Sequence, residues 1–170
     1  MSGEPLDEAT LRRLFEAARW APSSANLQPW RFIYARAQTP AFATLLGLLV
    51  EGNRVWCARA GALVVIVAKT TNDAGSPART HMFDAGAAWM SLALQTSKLG
   101  LVAHGMAGFD YDRARNELGV PDDHAVAAMV ALGHPGSVNE LPEKLRERET
   151  PSDRKHQDAF VFEGSFLARK

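Results

Sequence analysis

The uninterrupted apolar run ALVVIVA, residues 62–68, constrains the fold of this chain more than any other segment. The run is short for a helix, and its Val and Ile content favours a strand. Successive side chains of a strand point to opposite faces of a sheet, so a strand without polar alternates must be covered on both faces. The run therefore predicts a central strand.

Strands and helices alternate around this run. A helix is predicted from Asp7, with an apolar face of Leu11, Leu14, Phe15 and Ala18, and Pro22 ends it. We expect one domain over residues 1–170, in which 70–80 is a surface loop and 135–170 is an extended tail. The other predicted elements are a strand at 31–36, a helix capped by Thr39, a helix from His81 to Leu99 ended by Gly100, a strand entering HGMAGFD, a short helix from Asp110 to near Gly119, and strands at 125–133 and 159–162.

The composition favours a small partner molecule. Lys plus Arg and Asp plus Glu both number 19, so no net charge attracts nucleic acid or an anionic membrane. The uncharged run 85–97 is shorter than the roughly 20 residues that cross a bilayer. The first residues, MSGEPLDEAT, lack the pattern of a secretion signal, and Cys57 is the only cysteine. We expect a cytoplasmic protein without a disulfide or a cysteine-based metal cluster.

The stretch APSSANLQPW, residues 21–30, carries more hydrogen-bonding side chains than a turn requires. Hydroxyl and carboxamide groups both donate and accept, so together they can bind the edge of a flat heterocycle, with Trp30 as an apolar wall. The alternative is a polar turn whose Ser and Asn side chains bind their own backbone, with Trp30 in the core. The residue types alone favour this alternative slightly.

Two further segments allow both a functional and a structural interpretation. In HGMAGFD, residues 104–110, two glycines permit close backbone approach to a ligand, or simply form a tight turn. In RKH, residues 154–156, adjacent basic side chains suit a phosphate, or belong to a solvated charged tail. The five histidines lack metal-binding spacing, so no metal site is predicted.

Taken in order, five segments resemble the nitroreductase family of small FMN-dependent flavoproteins. They are AARWAPSSANLQPWRF, GNRVWCARAGALVVIVA, DAGAAWMSLALQTSKLGL, HGMAGFD and RETPSDRK, which together cover almost the whole chain. The resemblance implies an α+β fold with a mostly antiparallel central sheet flanked by helices. It also implies a homodimer with two sites at its interface, in which the tail crosses to the partner subunit.

The resemblance also implies a set of cofactor contacts. Gln28 would reach the flavin held mainly by the other subunit, and Asn53 would lie near the isoalloxazine edge or the nicotinamide. The Gly108 N–H would face N5 of the flavin, and Arg154 with Lys155 would hold the phosphate. The residues implied to contact FMN are Ser23, Ser24, Asn26, Gln28, Asn53, Ala107, Gly108, Arg154 and Lys155.

The function implied is an FMN-dependent oxidoreductase that uses NAD(P)H to reduce nitroaromatic, quinone or similar electron-poor acceptors by a ping-pong mechanism, without a catalytic side chain. One departure from the family is the absence of its basic segment before the first helix, since no basic residue precedes Arg12. Either the coding start lies upstream, or Arg154 and Lys155 hold the phosphate unaided. The alternatives are a flavin-poor binding protein and a specialised flavin enzyme such as a dehalogenase or a flavin-degrading enzyme.

Overall fold

The computed structural model describes residues 1–166, which form six helices and four strands. The helices are α1 (Glu8–Arg19), α2 (Pro40–Leu48), α3 (Glu51–Cys57), α4 (His81–Lys98), α5 (Tyr111–Glu117) and α6 (Glu143–Arg146). The strands are β1 (Trp30–Arg36), β2 (Ala62–Lys69), β3 (Val102–Met106) and β4 (His124–Gly133). The predicted α+β class is confirmed.

The four strands form one antiparallel sheet in the order β1-β2-β4-β3. Trp30, at the start of β1, lies opposite Ala68 near the end of β2. Met106, at the end of β3, lies opposite Met129 in β4. The apolar run at 62–68 is therefore an interior strand, as its composition predicted, and β1 and β3 form the two edges.

The two faces of β2 belong to two core clusters. Val64 packs in a cluster with Leu14 of α1 and Leu92 of α4. Its neighbour Val65 points the other way, into a cluster with Leu45 of α2. Burying an aliphatic side chain of this size contributes about 1.5–3 kcal/mol, which explains why residues 62–68 of this strand include no polar side chain.

The helices begin and end close to the predicted positions. Asp7, Thr39 and Asp110 each accept a hydrogen bond from the backbone N–H three residues on, at 2.6, 3.3 and 2.9 Å. Gly100 follows α4 with φ 71° and Gly119 follows α5 with φ 63°, both in the left-handed region that glycine tolerates. These boundaries are confirmed.

The strand predicted at 159–162 is wrong. A 3₁₀ turn occupies Gln157–Ala159, and Phe160 and Val161 are 59% and 61% exposed. A strand needs a neighbour for its backbone N–H and C=O groups, and none of the four strands described pairs with this segment. Local β propensity alone was not sufficient to form a strand at 159–162.

Helix α3 was not predicted. It begins after Val50, whose C=O accepts from the N–H groups of Asn53 and Arg54 at 3.0 and 2.9 Å. Its sequence EGNRVWC contains a glycine and lacks a regular apolar period. Burial of Cys57 against the sheet fixes its far end.

The described chain divides into two compact units, Met1–Ser137 and a second that begins at Val138. The first contains the sheet and α1 to α5, and the second contains α6 and two short 3₁₀ turns, Val138–Glu140 and Gln157–Ala159. No helix within residues 1–166 has both the length and the apolarity needed to span a membrane.

Candidate functional site

The loop between α1 and β1 has an unusual backbone. Ala25, Asn26 and Gln28 have φ values of 49°, 55° and 46°, in the left-handed region that side chains other than glycine rarely adopt. Each such residue costs roughly 1–3 kcal/mol and persists only where surrounding contacts fix it. A plain connection between a helix and a strand does not require this conformation.

Hydrogen bonds within the loop hold its backbone and leave side chains exposed. The Ser23 hydroxyl oxygen accepts from Gln28 N at 3.0 Å, and Asn26 N donates to Ser23 O at 3.1 Å. The Gln28 carboxamide donates to Asn26 Oδ1 at 3.2 Å. Both carboxamides and the side chain of Ser24 remain exposed. The loop therefore presents a hydroxyl and two carboxamides to solvent.

Trp30 is 7% exposed and packs in the core cluster that contains α1 and α4. It lies behind the loop as part of the core and does not form an exposed wall. The alternative interpretation from the sequence is therefore correct for Trp30 and also for Ser23, whose hydroxyl oxygen accepts from the loop backbone at Gln28 N.

Two residues that the sequence reasoning did not single out anchor the loop. Asp84, 3% exposed, accepts from Ser24 N at 3.2 Å, and Arg31 donates to Gln28 O at 3.0 Å. Asp84 carries a signal in the sequence, because it is the acidic residue that precedes the uncharged run of a buried helix. A charged residue there requires a hydrogen-bond partner.

Asn53 and Gly108 are in direct contact. The Asn53 carboxamide donates to Gly108 O at 3.1 Å, and Val50 N donates to the same oxygen at 3.1 Å. A Cβ at Gly108 would lie 2.6 Å from Asn53 Nδ2, so any other residue there would displace the Asn53 carboxamide from this position. Within residues 1–166 the N–H of Gly108 has no hydrogen-bond acceptor, and Ala107 beside it is exposed. This backbone is suited to meeting a ligand.

The loop 23–28 and Gly108 lie at opposite edges of the sheet. The loop leads into β1, whereas Gly108 follows β3, and β2 and β4 lie between them. Three strand spacings amount to about 14 Å. One copy of the chain therefore brings Asn53 together with Gly108, and Ser23 together with Asn26 and Gln28, but it does not bring the two groups together.

Arg154 and Lys155 belong to the second unit, and both are exposed. The Arg154 guanidinium donates to the Ser152 hydroxyl at 2.7 Å and to Ser152 O at 2.9 Å. The assignment of these two residues to a phosphate stays a prediction. No group of three or more metal-ligating side chains occurs in the part of the chain that the structure describes.

Comparison with protein families shows to which family this chain belongs. The model of the Nitroreductase family matches residues 2–41 and 34–134. The chain belongs to this family. The resemblance found in the sequence is therefore confirmed, and the sheet and helices described above have the nitroreductase fold.

Solved and curated relatives agree with this assignment. A crystal structure described as an oxidoreductase containing FMN is 41% identical, covers 99% of this chain and 87% of its own, and superposes with a TM-score of 0.94. An uncharacterised 15.4 kDa protein of Mycolicibacterium smegmatis is 39% identical over 76% of this chain and 87% of its own length. A protein of Thermus thermophilus named NADH dehydrogenase is 31% identical over 78% of both chains.

Proposed function

We propose that this nitroreductase family member is an FMN-dependent oxidoreductase. It uses NAD(P)H to reduce nitroaromatic, quinone or similar electron-poor acceptors by a ping-pong mechanism. The observation that carries the proposal is the pairing of Asn53 with Gly108, whose own N–H has no acceptor among residues 1–166, in a chain 41% identical to an FMN-containing oxidoreductase. Bound FMN would supply the redox chemistry, since its ring accepts a hydride from one substrate and gives the electrons to another.

The residues present fit a flavin at two places. At one edge of the sheet, Ser24, Asn26 and Gln28 offer exposed donors and acceptors suited to the polar rim of a heterocycle, beside Ser23. The backbone of this loop is held by a bond inside the loop, from Gln28 N to the Ser23 hydroxyl, and by the bond that Ser24 N donates to Asp84, so binding would require little further ordering.

At the other edge, the Gly108 N–H is our proposed donor to the flavin N5, with Ala107 presenting backbone beside it. Asn53 and Val50 hold the Gly108 carbonyl, so the orientation of this segment is set before a ligand arrives. A preorganised donor stabilises charge that develops on the ring during reduction. No acidic or basic side chain is required for the chemistry in this proposal.

We further propose that the working unit is a homodimer with two sites at its interface. The loop of one copy would meet the Gly108 edge of the other, which removes the separation of about 14 Å within one chain. Helix α4 carries an exposed apolar row of Phe83, Met90 and Leu94, at 81%, 53% and 59% exposure. An apolar row of this kind favours contact with another protein surface, and a second copy supplies one.

We propose that Arg154 and Lys155 bind the phosphate of FMN. A guanidinium can form two parallel hydrogen bonds to phosphate oxygens, and a neighbouring ammonium adds charge. Residues 2 and 3 hydrogen-bond to His134 O and Arg59 O, at the end of the sheet opposite the loop 23–28. Residues 2 and 3 therefore lie away from that loop.

The test is a titration of the purified protein with FMN, followed by the visible flavin absorption band and by flavin fluorescence. We expect saturable binding, and then bleaching of the band when NADH or NADPH is added without oxygen. The variant Ser24→Ala/Asn26→Ala should bind FMN more weakly while its urea unfolding stays close to that of the native chain. A native protein that does not bind FMN at any concentration would overturn the proposal.

A further inference from the structure

Asp84 is a buried acidic residue without a basic partner among residues 1–166. It lies in the first turns of α4, on the face that also carries Ala85, Ala88 and Leu92, and only 3% of it is exposed. Buried carboxyl groups are rare because removing them from water costs free energy that hydrogen bonds must offset. Thr96 is the other polar side chain of α4 that is buried.

The hydrogen bonds of Asp84 connect two segments that are distant in the sequence. Its Oδ2 accepts from Ser24 N at 3.2 Å and from the Thr80 hydroxyl at 3.1 Å. Thr80 precedes α4, whereas Ser24 opens the loop between α1 and β1. The carboxyl group therefore ties that loop to the long helix.

The loop needs an external anchor because its backbone is strained. Ala25 and Asn26 directly follow Ser24 and both have positive φ. The bond between the Ser23 hydroxyl and Gln28 N lies inside the loop and cannot fix its position on the core. Asp84 fixes the position of the loop on the core through Ser24, the first residue of the turn, which lies 60 positions away along the chain.

We propose that Asp84 is a positioning residue that holds the turn at Ser24–Asn26 in the conformation that binds the flavin. The inference rests on the proposed function above. The carboxyl group acts through the backbone of Ser24 and does not itself contact the cofactor. Its removal loosens the turn, so the hydroxyl of Ser24 and the carboxamide of Asn26 no longer have fixed positions.

The first experiment compares Asp84→Leu and Asp84→Asn with Thr96→Val. Thr96 is a matched control, because it is equally buried on the same helix and its hydroxyl donates to Leu92 O within the helix at 2.8 Å. Hydrogen exchange of the amides at 24–28 is measured without FMN, and the FMN dissociation constant and urea unfolding are measured for each protein. These readouts separate loosening of the turn from a general loss of stability.

We expect Asp84→Leu to exchange faster at 24–28 and to bind FMN about tenfold more weakly or worse. Asp84→Asn, which keeps one acceptor oxygen, should lie between this variant and the native protein. Thr96→Val should leave exchange at 24–28 and FMN affinity unchanged, even where it lowers stability. Native exchange at 24–28 in folded Asp84→Leu would overturn the proposal.

A second pair of variants leaves Asp84 in place. Ser24→Ala and Ser24→Pro both lose the hydroxyl, but only proline also loses the N–H that Asp84 accepts. The extended backbone of Ser23, at ψ 153°, is compatible with a following proline. Ser24→Pro should bind FMN at least about tenfold more weakly than Ser24→Ala. Equal affinities would overturn the anchoring role.

The two proposals fail in different ways. If the native protein does not bind FMN, the proposed function is wrong, while faster exchange at 24–28 in Asp84→Leu still supports the anchor. If the native protein binds FMN and Asp84→Leu matches it in exchange and affinity, the anchor is wrong and the proposed function stands.

Discussion

The side chain of Asn53 occupies the space that a side chain at Gly108 would need. Asn53 Nδ2 donates to Gly108 O at 3.1 Å and would lie 2.6 Å from a Cβ built on that glycine. The contact joins α3 to the turn after β3, 55 positions apart in the chain. Neither residue can therefore be changed without affecting the other.

The variant Gly108→Ala should be destabilised by about 1–3 kcal/mol, because the new methyl group displaces the Asn53 carboxamide. Asn53→Ala alone should cost about 1 kcal/mol, since Val50 N still donates to the same carbonyl. In the double variant the clash with the carboxamide is absent. Its loss of free energy of unfolding, measured in urea, should therefore be smaller than the summed losses of the two single variants. Strict additivity would show that the two side chains do not compete for this space.

The strained turn at 24–28 should be relieved by glycine. Ala25→Gly removes the Cβ penalty at φ 49° and should raise the free energy of unfolding by about 0.5–1 kcal/mol. The control is Ala43→Gly on the exposed side of α2, which should lower stability by about 1 kcal/mol. If both substitutions destabilise equally in urea, the left-handed conformation at Ala25 is absent in solution.

Arg154→Ala should weaken FMN binding about tenfold or more and leave riboflavin binding nearly unchanged, because riboflavin has no phosphate. Isothermal titration with both ligands measures the difference. The matched control is Arg148→Ala, another exposed arginine of the same unit, and its affinity for both ligands should equal that of the native protein. A similar loss for FMN and riboflavin would exclude contact between Arg154 and the phosphate.

The exposed row on α4 should be the contact between two copies. Leu94→Glu places a charge in this row and should convert a dimer to a monomer in sedimentation experiments, with loss of FMN binding. Gln95→Glu introduces a carboxyl group at the next residue, about 100° around the helix, and should leave the dimer intact. A native protein that sediments as a monomer, or a Leu94→Glu variant that remains dimeric, would contradict this prediction.

The Cys57 thiol should be unreactive in the folded protein. Burial raises its pKa to about 12 from the ordinary value of 9.0, and the thiol donates to Met106 Sδ at 3.4 Å. The neutral thiol is therefore favoured in the fold. This contribution to stability is complete below pH 9 and is lost as the pH rises through about 12.

Alkylation by iodoacetamide at neutral pH measures the reactivity of the Cys57 thiol directly. Labelling of the native protein should be slow and should follow the fraction unfolded as urea is added. Rapid labelling without denaturant would mean that α3 opens locally and exposes Cys57.

Much of the fold could be predicted because its signals are local. The strand at 62–68 follows from its uninterrupted apolar run. The helix starts at Asp7 and Thr39 and the glycines that end α4 and α5 depend on side-chain hydrogen bonds and backbone freedom near each position. The order of the five family motifs added the family itself, which the comparison confirms.

Other features depend on residues that are distant in the chain. Helix α3 forms because Cys57 packs into the core and Asn53 reaches Gly108, and neither contact can be read from EGNRVWC alone. The segment 159–162 has β propensity but no partner strand among those described, so propensity predicted the wrong structure there.

The sequence by itself determined the central strand, most boundaries of α1, α2, α4 and α5, and the residue types of a polar loop, because these follow from the periodicity and chemistry of neighbouring residues. The tertiary structure decided that the loop and Gly108 lie at opposite edges of the sheet and that Asp84 anchors Ser24. The physical reason is that strand order and side-chain contacts across 55 or 60 positions arise only when the whole chain packs around one sheet.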